Sequence, residues 1–361
     1  MLVDAILTDA PKGGVYFSKI DVKDEAFPVR LTPVYTGICG TDRGMVAGSL
    51  SFAYNPHGYD RLALGHESLC RVISAEPNEY GITAGDLVVP MVRRPGKCLN
   101  CLIGRSDNCS DGDKHEAGVT GMHGFMRREF GDYPEYLIKV PDKSAAKIAV
   151  LTEPTKNVEK GMEVVDAVSK RSVYTDSSGS YGRKVALIIG TGSEGFLYAM
   201  KCRDYGFQTF ITNRHPVDNL KAGILTSMGV QFYDYTREVK PEKHGFDLVV
   251  DTSGDPATVL RFLRKVNNNG IIVLFGTNGK APGSHMDGED IDHIVERNIT
   301  IAGSVDGSRI HYERGLQDLI KWNSMYGGSV EKMITGSVKP DQIDIFSKKP
   351  ADEIKTVISW E

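Results

Sequence analysis

One stretch limits the fold more than any other, namely a glycine-rich turn between an apolar strand and a helix. Residues 184–189 form a continuous apolar run, which is typical of a strand buried in a parallel sheet. They lead into Gly190-Thr191-Gly192-Ser193-Glu194-Gly195, and residues 196–205 have a helical pattern. Glycines in this context permit a tight turn and the close approach of a pyrophosphate to the N–H groups at the helix start. These six residues are therefore predicted to bind a dinucleotide.

The end of the next strand bears on which dinucleotide is bound. Residues 209–212 are predicted to form this strand, and Asn213-Arg214-His215 follow it. A site for NAD usually carries Asp or Glu here, which holds the ribose 2′-hydroxyl. With no carboxylate to repel a 2′-phosphate and Arg214 present to pair with it, NADP is favoured. The alternative is a solvated surface arginine beside a site that takes either nucleotide, so NAD use stays open.

Strands and helices continue to alternate beyond this unit. Apolar runs at residues 246–251, 270–276 and 298–303 each end near a glycine turn. The pattern predicts an α/β fold with a doubly wound parallel sheet, which binds ligands at the carboxyl ends of its strands. The predicted cofactor contacts at these ends are Phe275, Gly276, Thr277, Ser304, Val305 and Asp306.

Residues 1 to about 140 have a different character. Short β segments such as 5–8, 31–35 and 69–73 are separated by long loops that carry Gly, His and Cys. A chain of 361 residues is too long for one ordinary core, so two domains are expected. The net charge of −4 gives no electrostatic reason to expect nucleic acid or an anionic membrane as a partner. Without a predicted membrane span or signal peptide, we expect a cytoplasmic protein whose clustered cysteines bind metal.

Three of the six cysteines form a strong zinc signal. Cys98 and Cys101 are spaced as Cys-x₂-Cys, and Cys109 follows in the same loop. A tight loop can bring three such thiolates onto one tetrahedron, and a zinc with four protein ligands has a structural role. The nearby candidates for the fourth ligand are Asp111, Asp113 and His115.

A second metal signal is divided between two short runs. Gly37-Ile38-Cys39-Gly40-Thr41-Asp42 and Gly65-His66-Glu67 each place a zinc-type ligand beside glycines that leave room at the metal. Thr41 lies two residues from the thiolate, where a proton acceptor for a zinc-bound alcohol is expected. Each piece alone is a weak indication, since a buried Cys is usually inert. Glu153 stands at a predicted helix entrance, where it either complements the helix dipole or lies near this zinc.

The order of these motifs resembles that of the zinc-containing medium-chain dehydrogenases over nearly the whole chain. Within that family, the chain is similar to the archaeal glucose 1-dehydrogenases. The strings that carry the narrower resemblance are Cys98-Leu99-Asn100-Cys101-Leu102-Ile103-Gly104-Arg105, His115-Glu116-Ala117-Gly118, Gly124-Phe125-Met126-Arg127, Leu151-Thr152-Glu153-Pro154 and Asn213-Arg214.

The resemblance implies a division into two domains. A GroES-like catalytic domain would comprise residues 1–183 and 305–361, with the cysteine lobe at about 93–116. A Rossmann domain that binds NADP would comprise residues 184–304. The family's lobe usually has four cysteines, but Arg94-Pro95-Gly96-Lys97 precedes Cys98 here, so we expect Asp113 to be the fourth ligand. A homotetramer joined through the sheet edges of the nucleotide domains is also implied.

The resemblance also implies an activity and the residues that perform it. The implied ligands of the catalytic zinc are Cys39, His66, Glu67 and Glu153, with the two carboxylates exchanging. Thr41 and Glu67 would be catalytic. The residues implied to face a sugar are Thr41, Glu116, Glu153, Asn157 and Asp306. The expected reaction is oxidation of D-glucose, with D-galactose as a second substrate, at C1 to the 1,5-lactone, in a non-phosphorylative Entner–Doudoroff type of route.

Two other functions remain open from the residues alone. The same zinc and nucleotide motifs serve a zinc-dependent polyol or secondary-alcohol dehydrogenase, because fold does not fix substrate. A non-catalytic NADPH-binding protein is the other alternative. The joint presence of Cys39, Thr41, His66 and Glu67 argues against it.

Overall fold

The computed structural model describes residues 2–23, 26–112, 115–173, 179, 181–182, 184–235, 245–278 and 281–361. The chain divides into two compact units. The first comprises Met1–Lys156, Asp306–Ser324 and Val330–Glu361, and the second comprises Asn157–Val305 and Met325–Ser329. The first unit is therefore built from segments that lie far apart in the sequence.

A largely antiparallel sheet forms the centre of the first unit. In the described residues, its strand order is Leu137–Lys139, Leu87–Pro90, Glu67–Ala75, Val29–Ile38, Lys355–Ser359 and Ile334–Val338, and Phe130–Asp132 also pairs with Val29–Ile38. Gly37 lies opposite Glu67 on one side and opposite Val357 on the other. The C-terminal strand is thus placed beside the two runs that carry the predicted zinc ligands.

Two smaller sheets complete the β structure of this unit. One contains Gly13–Asp21, Leu2–Asp9 and Leu62–Ala63, and the other contains Arg93–Arg94, His115–Ala117 and Gly121–Met122. In the second of these, Arg93 lies directly opposite Glu116.

Helices and 3₁₀ turns lie between these strands in the chain. The helices that begin in the first unit are Gly40–Val46, Leu99–Leu102, Ala146–Ala149, Thr152–Ser169 and Arg309–Met325, together with the 3₁₀ turns Ser106–Asn108, Pro134–Tyr136, Lys143–Ala145 and Ile343–Phe346. A further short helix, Ser329–Lys332, begins at the last residue of the second unit. No helix in the described part of the chain is both long and apolar enough to cross a membrane.

The second unit contains a parallel sheet, as the sequence predicts. The described strands follow the order Gln231–Phe232, Gln208–Thr212, Val185–Ile189, Phe246–Asp251, Val266–Leu274 and Thr300–Gly303. Its helices are Ser193–Asp204, Asn219–Met228, Pro256–Leu263 and Gly288–Glu296. The order in sequence numbers is 3-2-1-4-5-6, which is that of a Rossmann sheet. Ile189 lies level with Thr212 and Asp251, so the loops after these strands meet at one edge.

Candidate active site

Cys39 and His66 meet at one end of the central sheet of the first unit. Cys39 follows the strand Val29–Ile38 and is the N-cap of the helix Gly40–Val46. Its Sγ accepts a hydrogen bond from the Thr41 backbone N–H at 3.2 Å, and lies 2.9 Å from the His66 Nε2. This contact follows from the pairing of Gly37 with Glu67, because Gly37 lies two residues before Cys39 and Glu67 lies one residue after His66.

Steric contacts, which the sequence alone does not show, explain why two positions in these runs are glycines. A Cβ at Gly37 would lie 2.1 Å from the Glu67 Oε2, and a Cβ at Gly65, where φ is +90°, would lie 2.4 Å from the Met126 Cγ. The glycines therefore have a second role besides the predicted one of leaving room at a metal. The glycines allow the Glu67 side chain and the neighbouring backbone to approach closely.

The four predicted ligands of a catalytic zinc form two overlapping groups centred on His66. One ligand atom each from His66, Glu67 and Glu153 lie within 4.8 Å of one another, as do those of Cys39, Asp42 and His66. His66 belongs to both groups, so the Cys39 thiol and the carboxylates of Glu67 and Glu153 are gathered around one imidazole. These donor types fit a catalytic zinc, which takes three protein ligands and keeps one position open.

Asp42 is a member of this cluster that the sequence interpretation left without a role. Its Oδ2 accepts the Cys39 N–H at 2.9 Å, and its Oδ1 lies 3.5 Å from the His66 Nδ1. A carboxylate beside the second ring nitrogen orients a metal-binding histidine. The signal was present in the sequence, since an acidic residue at the third helical position is typical of a capping box.

Burial raises the pKa of the Cys39 thiol, and the nearby Asp42 and Glu67 carboxylates act in the same direction against the opposing effect of His66. Burial and these carboxylates therefore disfavour the Cys39 thiolate when no further positive charge lies nearby. A metal ion supplies such a charge, since a coordinated thiol is deprotonated.

Each of the two predicted carboxylate ligands contacts a buried lysine. The Lys355 Nζ donates to both oxygens of Glu67 at 2.7 Å, and the Lys156 Nζ lies 3.2 Å from the Glu153 Oε1. Lys355 reaches Glu67 because the C-terminal strand pairs with Val29–Ile38. Neither lysine was predicted from the sequence. Lys355 is 288 positions from Glu67, whereas Lys156 is only three residues from Glu153 on the same helix, a spacing that could have indicated the pair.

Two predicted sugar-facing residues, Glu116 and Asp306, are joined by Arg93. The Arg93 Nε donates to the Glu116 Oε1 at 2.9 Å and lies 2.6 Å from the Asp306 Oδ2, while the Lys156 Nζ donates to the Asp306 Oδ1 at 2.5 Å. Burial opposes ionisation of Asp306, but Lys156 and Arg93 outweigh it and lower its pKa. Asp306 is therefore a carboxylate with two cations beside it.

The remaining residues of the predicted sugar site are Thr41 and Asn157. Thr41 is partly buried in the first turn of the helix that Cys39 caps. Asn157 lies one turn beyond Glu153 on the helix Thr152–Ser169, and its backbone carbonyl accepts a hydrogen bond from the Tyr198 hydroxyl at 3.2 Å. By contacts, Asn157 belongs to the second unit.

The cysteine lobe brings its three thiols together. The Sγ atoms of Cys98, Cys101 and Cys109 lie within 4.8 Å of one another, and the Gly96 N–H donates to the Cys101 Sγ at 3.2 Å. Hydrogen bonds from Ser110 lower the pKa of Cys98 to about 6, which favours its thiolate, whereas burial and the two neighbouring thiols raise the pKa of Cys101 to about 11. Asp113, the predicted fourth ligand, lies outside the described residues.

In the second unit, the predicted nucleotide turn is packed too tightly for side chains at two positions. A Cβ at Gly195 would lie 2.0 Å from the Gly190 carbonyl oxygen, and a Cβ at Gly190, where φ is +113°, would lie 2.3 Å from the Thr252 Oγ1. Gly192 caps the helix Ser193–Asp204, and Glu194 lies in its first turn, where the Ser193 hydroxyl donates to it at 2.8 Å. Thr191 is buried within the turn.

A cavity of about 210 Å³ adjoins this turn. Asn213, Arg214 and His215 line it together with Gly190, as expected for residues at adjacent strand ends. Its other lining residues, which the sequence interpretation did not select, are Ile189, Tyr235, Ser253, Asp255 and Thr258. Arg214 is well exposed, with an NH2 atom 3.9 Å from the Asp255 Oδ2.

The other predicted cofactor contacts follow the next strands of this sheet. A Cβ at Gly276 would lie 2.3 Å from the Gly254 nitrogen, so the loop at Phe275, Gly276 and Thr277 lies against the loop after Asp251. Ser304 is buried, and its N–H donates to the Leu274 carbonyl oxygen at 3.0 Å. Val305 is exposed, and Asp306 belongs to the first unit.

Two family models together match most of the chain. Residues 27–150 match the alcohol dehydrogenase GroES-like domain, and residues 146–360 match the family described as the glucose dehydrogenase C-terminus. Among solved structures, the chain is similar to the glucose dehydrogenase of Haloferax mediterranei in complex with NADP, Zn and gluconolactone. The TM-score is 0.84, the identity is 24%, and 99% of each chain is covered.

Curated relatives show closer identity. The glucose 1-dehydrogenase of Thermoplasma acidophilum is 57% identical over 99% of both chains. That of Metallosphaera sedula is 37% identical over 99% of this chain and 98% of its own. These matches confirm the predicted resemblance and the predicted GroES-like plus Rossmann fold class. The chain belongs to the glucose 1-dehydrogenase family of zinc-containing medium-chain dehydrogenases.

Proposed function

We propose that this protein oxidises D-glucose at C1 to the 1,5-lactone and transfers the hydride to NADP. The observation that carries the proposal is the position of His66, which lies against Cys39 and is grouped with Glu67 and Glu153, in a chain 57% identical to a glucose 1-dehydrogenase. A polyol or secondary-alcohol dehydrogenase would share the metal cluster and the nucleotide fold. Such an enzyme would need the partly buried Glu116 and the buried Asp306 less, because this acidic pair suits a ligand with several hydroxyls.

Cys39, His66 and one carboxylate would hold the catalytic zinc. When bound, Zn²⁺ polarises a hydroxyl and lowers its pKa. Glu153 is the better candidate for the resident carboxylate, because Lys355 contacts both oxygens of Glu67 whereas Lys156 contacts Glu153 at the longer distance of 3.2 Å. Glu67 would serve as the exchanging carboxylate.

The other residues around the cluster would orient the sugar and handle its proton. The Thr41 hydroxyl would accept or relay the C1 hydroxyl proton. Glu116, Asn157 and Asp306 would accept hydrogen bonds from ring hydroxyls. Such partners discriminate against substrates that lack those hydroxyls, because a buried acceptor is then left unpaired.

NADP is the proposed preferred cofactor, with NAD as the poorer alternative. The pyrophosphate would bind the turn from Gly190 to Gly195, and the 2′-phosphate would pair with Arg214 beside Asn213 and His215. Binding at the carboxyl ends of the strands would also involve Phe275, Gly276, Thr277, Ser304 and Val305.

A second, structural zinc would be held by Cys98, Cys101 and Cys109, with Asp113 as the fourth ligand. A cytoplasmic location is part of this proposal, because the thiols must stay reduced to bind metal. The domain limits that we propose are residues 1–183 with 305–361, and 184–304.

A homotetramer is the proposed assembly. The strand Thr300–Gly303 forms one edge of the described parallel sheet. Ile301 and Val305, on this strand and just after it, are exposed. An exposed edge strand with apolar side chains is a ready surface for pairing with a second copy. The mass in solution, measured by light scattering, tests this part of the proposal.

Initial rates of NADP and of NAD reduction test the activity. D-glucose, D-galactose, sorbitol and simple alcohols would be compared, before and after chelation. We expect glucose-dependent, chelator-sensitive reduction that favours NADP, with D-galactose as a second substrate. Activity on polyols or alcohols alone would leave the fold and metal in place and overturn the substrate. Absence of any reduction by a zinc-loaded protein would favour a non-catalytic role.

A further inference from the structure

A line of five charged side chains connects the proposed metal cluster to the proposed sugar site. In order they are Glu116, Arg93, Asp306, Lys156 and Glu153. The contacts are Arg93 Nε to Glu116 Oε1 at 2.9 Å, Arg93 Nε to Asp306 Oδ2 at 2.6 Å, Lys156 Nζ to Asp306 Oδ1 at 2.5 Å, and Lys156 Nζ to Glu153 Oε1 at 3.2 Å. All five residues belong to the first unit.

Four of these side chains are buried, Glu116 is partly buried, and the signs of their charges alternate along the line. The Lys156 side chain is 3% exposed and that of Arg93 is 4% exposed, and Glu116, the most exposed, reaches only 18%. A charge removed from water is tolerated when it is paired, and loss of one partner leaves the other uncompensated. The position of each carboxylate therefore depends on the cation beside it.

The backbone holds Asp306 against Lys156 in an unusual conformation. Asp306 has a φ of +66°, which is rare for a residue other than glycine. A Cβ at Gly307 would lie 3.1 Å from the Lys156 carbonyl oxygen, so the glycine permits the close approach. Backbone strain of this kind is retained where the surrounding structure fixes the residue, and it is concentrated at functional sites.

Lys156 differs from Lys355 in what it contacts. Lys355 places its ammonium between the two oxygens of one carboxylate, Glu67. Lys156 lies between two different carboxylates, one proposed to bind zinc and one proposed to bind the sugar. Its Nζ lies 5.8 Å from the centroid of the Tyr312 ring, and the Tyr312 hydroxyl accepts the Val92 N–H at 3.0 Å.

We infer that Lys156 is a positioning residue that links the metal ligand Glu153 to the sugar-binding carboxylate of Asp306. The inference rests on the proposed function and deepens it. Its ammonium orients Asp306 toward the ring hydroxyls, and its positive charge near Glu153 weakens the hold of the cluster on Zn²⁺. Removing the charge should therefore affect the two ligands in opposite directions.

The test compares Lys156→Met, which keeps the length of the side chain, with Lys156→Arg, which keeps the charge. For Lys156→Met we expect the KM for glucose to rise about 10-fold, on the scale of one charge-assisted hydrogen bond. Zinc should be held about 10-fold more tightly in competition with a chelator, measured without sugar or nucleotide, because a nearby positive charge has gone. Lys156→Arg should stay within about 3-fold of the parent protein in both measurements.

Lys201→Met is the matched control. Lys201 is also buried and pairs with Glu159 at 2.7 Å, but it lies in the second unit on the helix Ser193–Asp204. The loss of this buried ammonium should leave the glucose KM and the zinc affinity unchanged.

Opposite shifts in KM and zinc affinity support the inference, because a simple loss of structure weakens both. Parallel weakening in a folded Lys156→Met protein, no change, or equal behaviour of the Met and Arg variants would overturn it. If Lys156→Met does not fold, Asp306→Asn provides the KM measurement and Lys156→Gln the zinc measurement, with the same expected directions. A parent protein without activity on glucose would defeat the proposed function, whereas the zinc competition would still test the link to Glu153.

Discussion

The cluster around His66 and the nucleotide turn from Gly190 to Gly195 are built by opposite means. In the cluster, buried charged side chains meet, and each acidic ligand has a lysine beside it. In the turn, the features that matter are backbone groups and absent side chains, and the main charge, Arg214, is 71% exposed. The first site should therefore be sensitive to a change of charge or ligand atom, and the second to the addition of a single methyl group.

The largest effect is expected from Cys39→Ser in the cluster. The loss of the thiolate should lower kcat/KM for glucose at least about 1,000-fold, or about 4 kcal/mol of transition-state stabilisation. Bound zinc should fall by one ion per chain. Initial rates and metal analysis of the same sample measure both.

Cys101→Ser makes the same atomic change in the other metal cluster. Zinc should again fall by one ion per chain, but kcat should stay within about 3-fold while thermal stability falls, because a structural zinc contributes to folding. If the two serine variants lost activity equally, the assignment of one catalytic and one structural site would be wrong.

The largest effect within the nucleotide turn is expected from Gly195→Ala. The added Cβ would lie 2.0 Å from the Gly190 carbonyl oxygen, so the turn must open. Overpacking of this kind costs about 1–3 kcal/mol, and we expect the Kd for NADP to rise about 10- to 100-fold with zinc content unchanged. Calorimetric titration with NADP measures this.

Gly223→Ala, in the helix Asn219–Met228 of the same unit, provides the control. Its added Cβ would meet no atom within 4 Å, so the Kd should not change and stability should rise slightly. Equal Kd values for the two alanine variants would show that the turn does not depend on its glycines.

The two sites also differ in how far the sequence reveals them. The nucleotide turn could be predicted because its strand, glycines and helix are contiguous, and the parallel sheet followed from repeated apolar runs. The cysteine lobe was predicted for the same reason, since its three thiols lie within one short loop. Local spacing carries such information because neighbours in sequence are neighbours in space.

The charges around the catalytic cluster could not be predicted in this way. Lys355 contacts Glu67 across 288 positions, and Lys156 contacts Asp306 across 150. Nothing in the sequence near either lysine distinguishes a buried cation from a solvated one. Only the pairing of the C-terminal strand with Val29–Ile38, and the return of the chain to the first unit at Asp306, brings these partners together.

Lys355→Met tests whether the cluster depends on its paired charges. The change leaves the Glu67 carboxylate buried without this ammonium, and such a loss costs about 3–5 kcal/mol of unfolding free energy. Denaturant unfolding of the two proteins measures the difference. Adding Glu67→Gln to Lys355→Met should restore part of the stability, because the uncompensated charge is then removed.

Lys147→Met is the matched control for Lys355→Met. Lys147 pairs with Glu331 at 2.7 Å, but both side chains are exposed, so its loss should cost no more than about 1 kcal/mol. Similar losses of unfolding free energy for the buried and the exposed pair would show that burial does not make the metal cluster sensitive to the loss of a charge.

Arg214→Ala should give a smaller effect, confined to cofactor choice. We expect kcat/KM for NADP to fall about 10-fold, on the scale of a charge-assisted hydrogen bond at an exposed site, while that for NAD stays within about 2-fold. Arg297→Ala removes another exposed arginine of the second unit and should change neither value. Equal losses with both nucleotides would remove Arg214 from the 2′-phosphate site.

Asp255→Asn should give the smallest effect, in the opposite direction. The Asp255 carboxylate lies 3.9 Å from the Arg214 guanidinium, so it partly neutralises the charge that a 2′-phosphate would use and adds a repulsive charge of its own. Asn keeps the cap that Asp255 provides to the helix Pro256–Leu263. We expect the ratio of kcat/KM for NADP to that for NAD to rise about 2- to 3-fold, because the interaction is exposed and screened. A fall in this ratio would mean that Asp255 positions Arg214 for the 2′-phosphate rather than competing with the phosphate for it. The nucleotide site would then depend on a pair of opposite charges, as the metal cluster does.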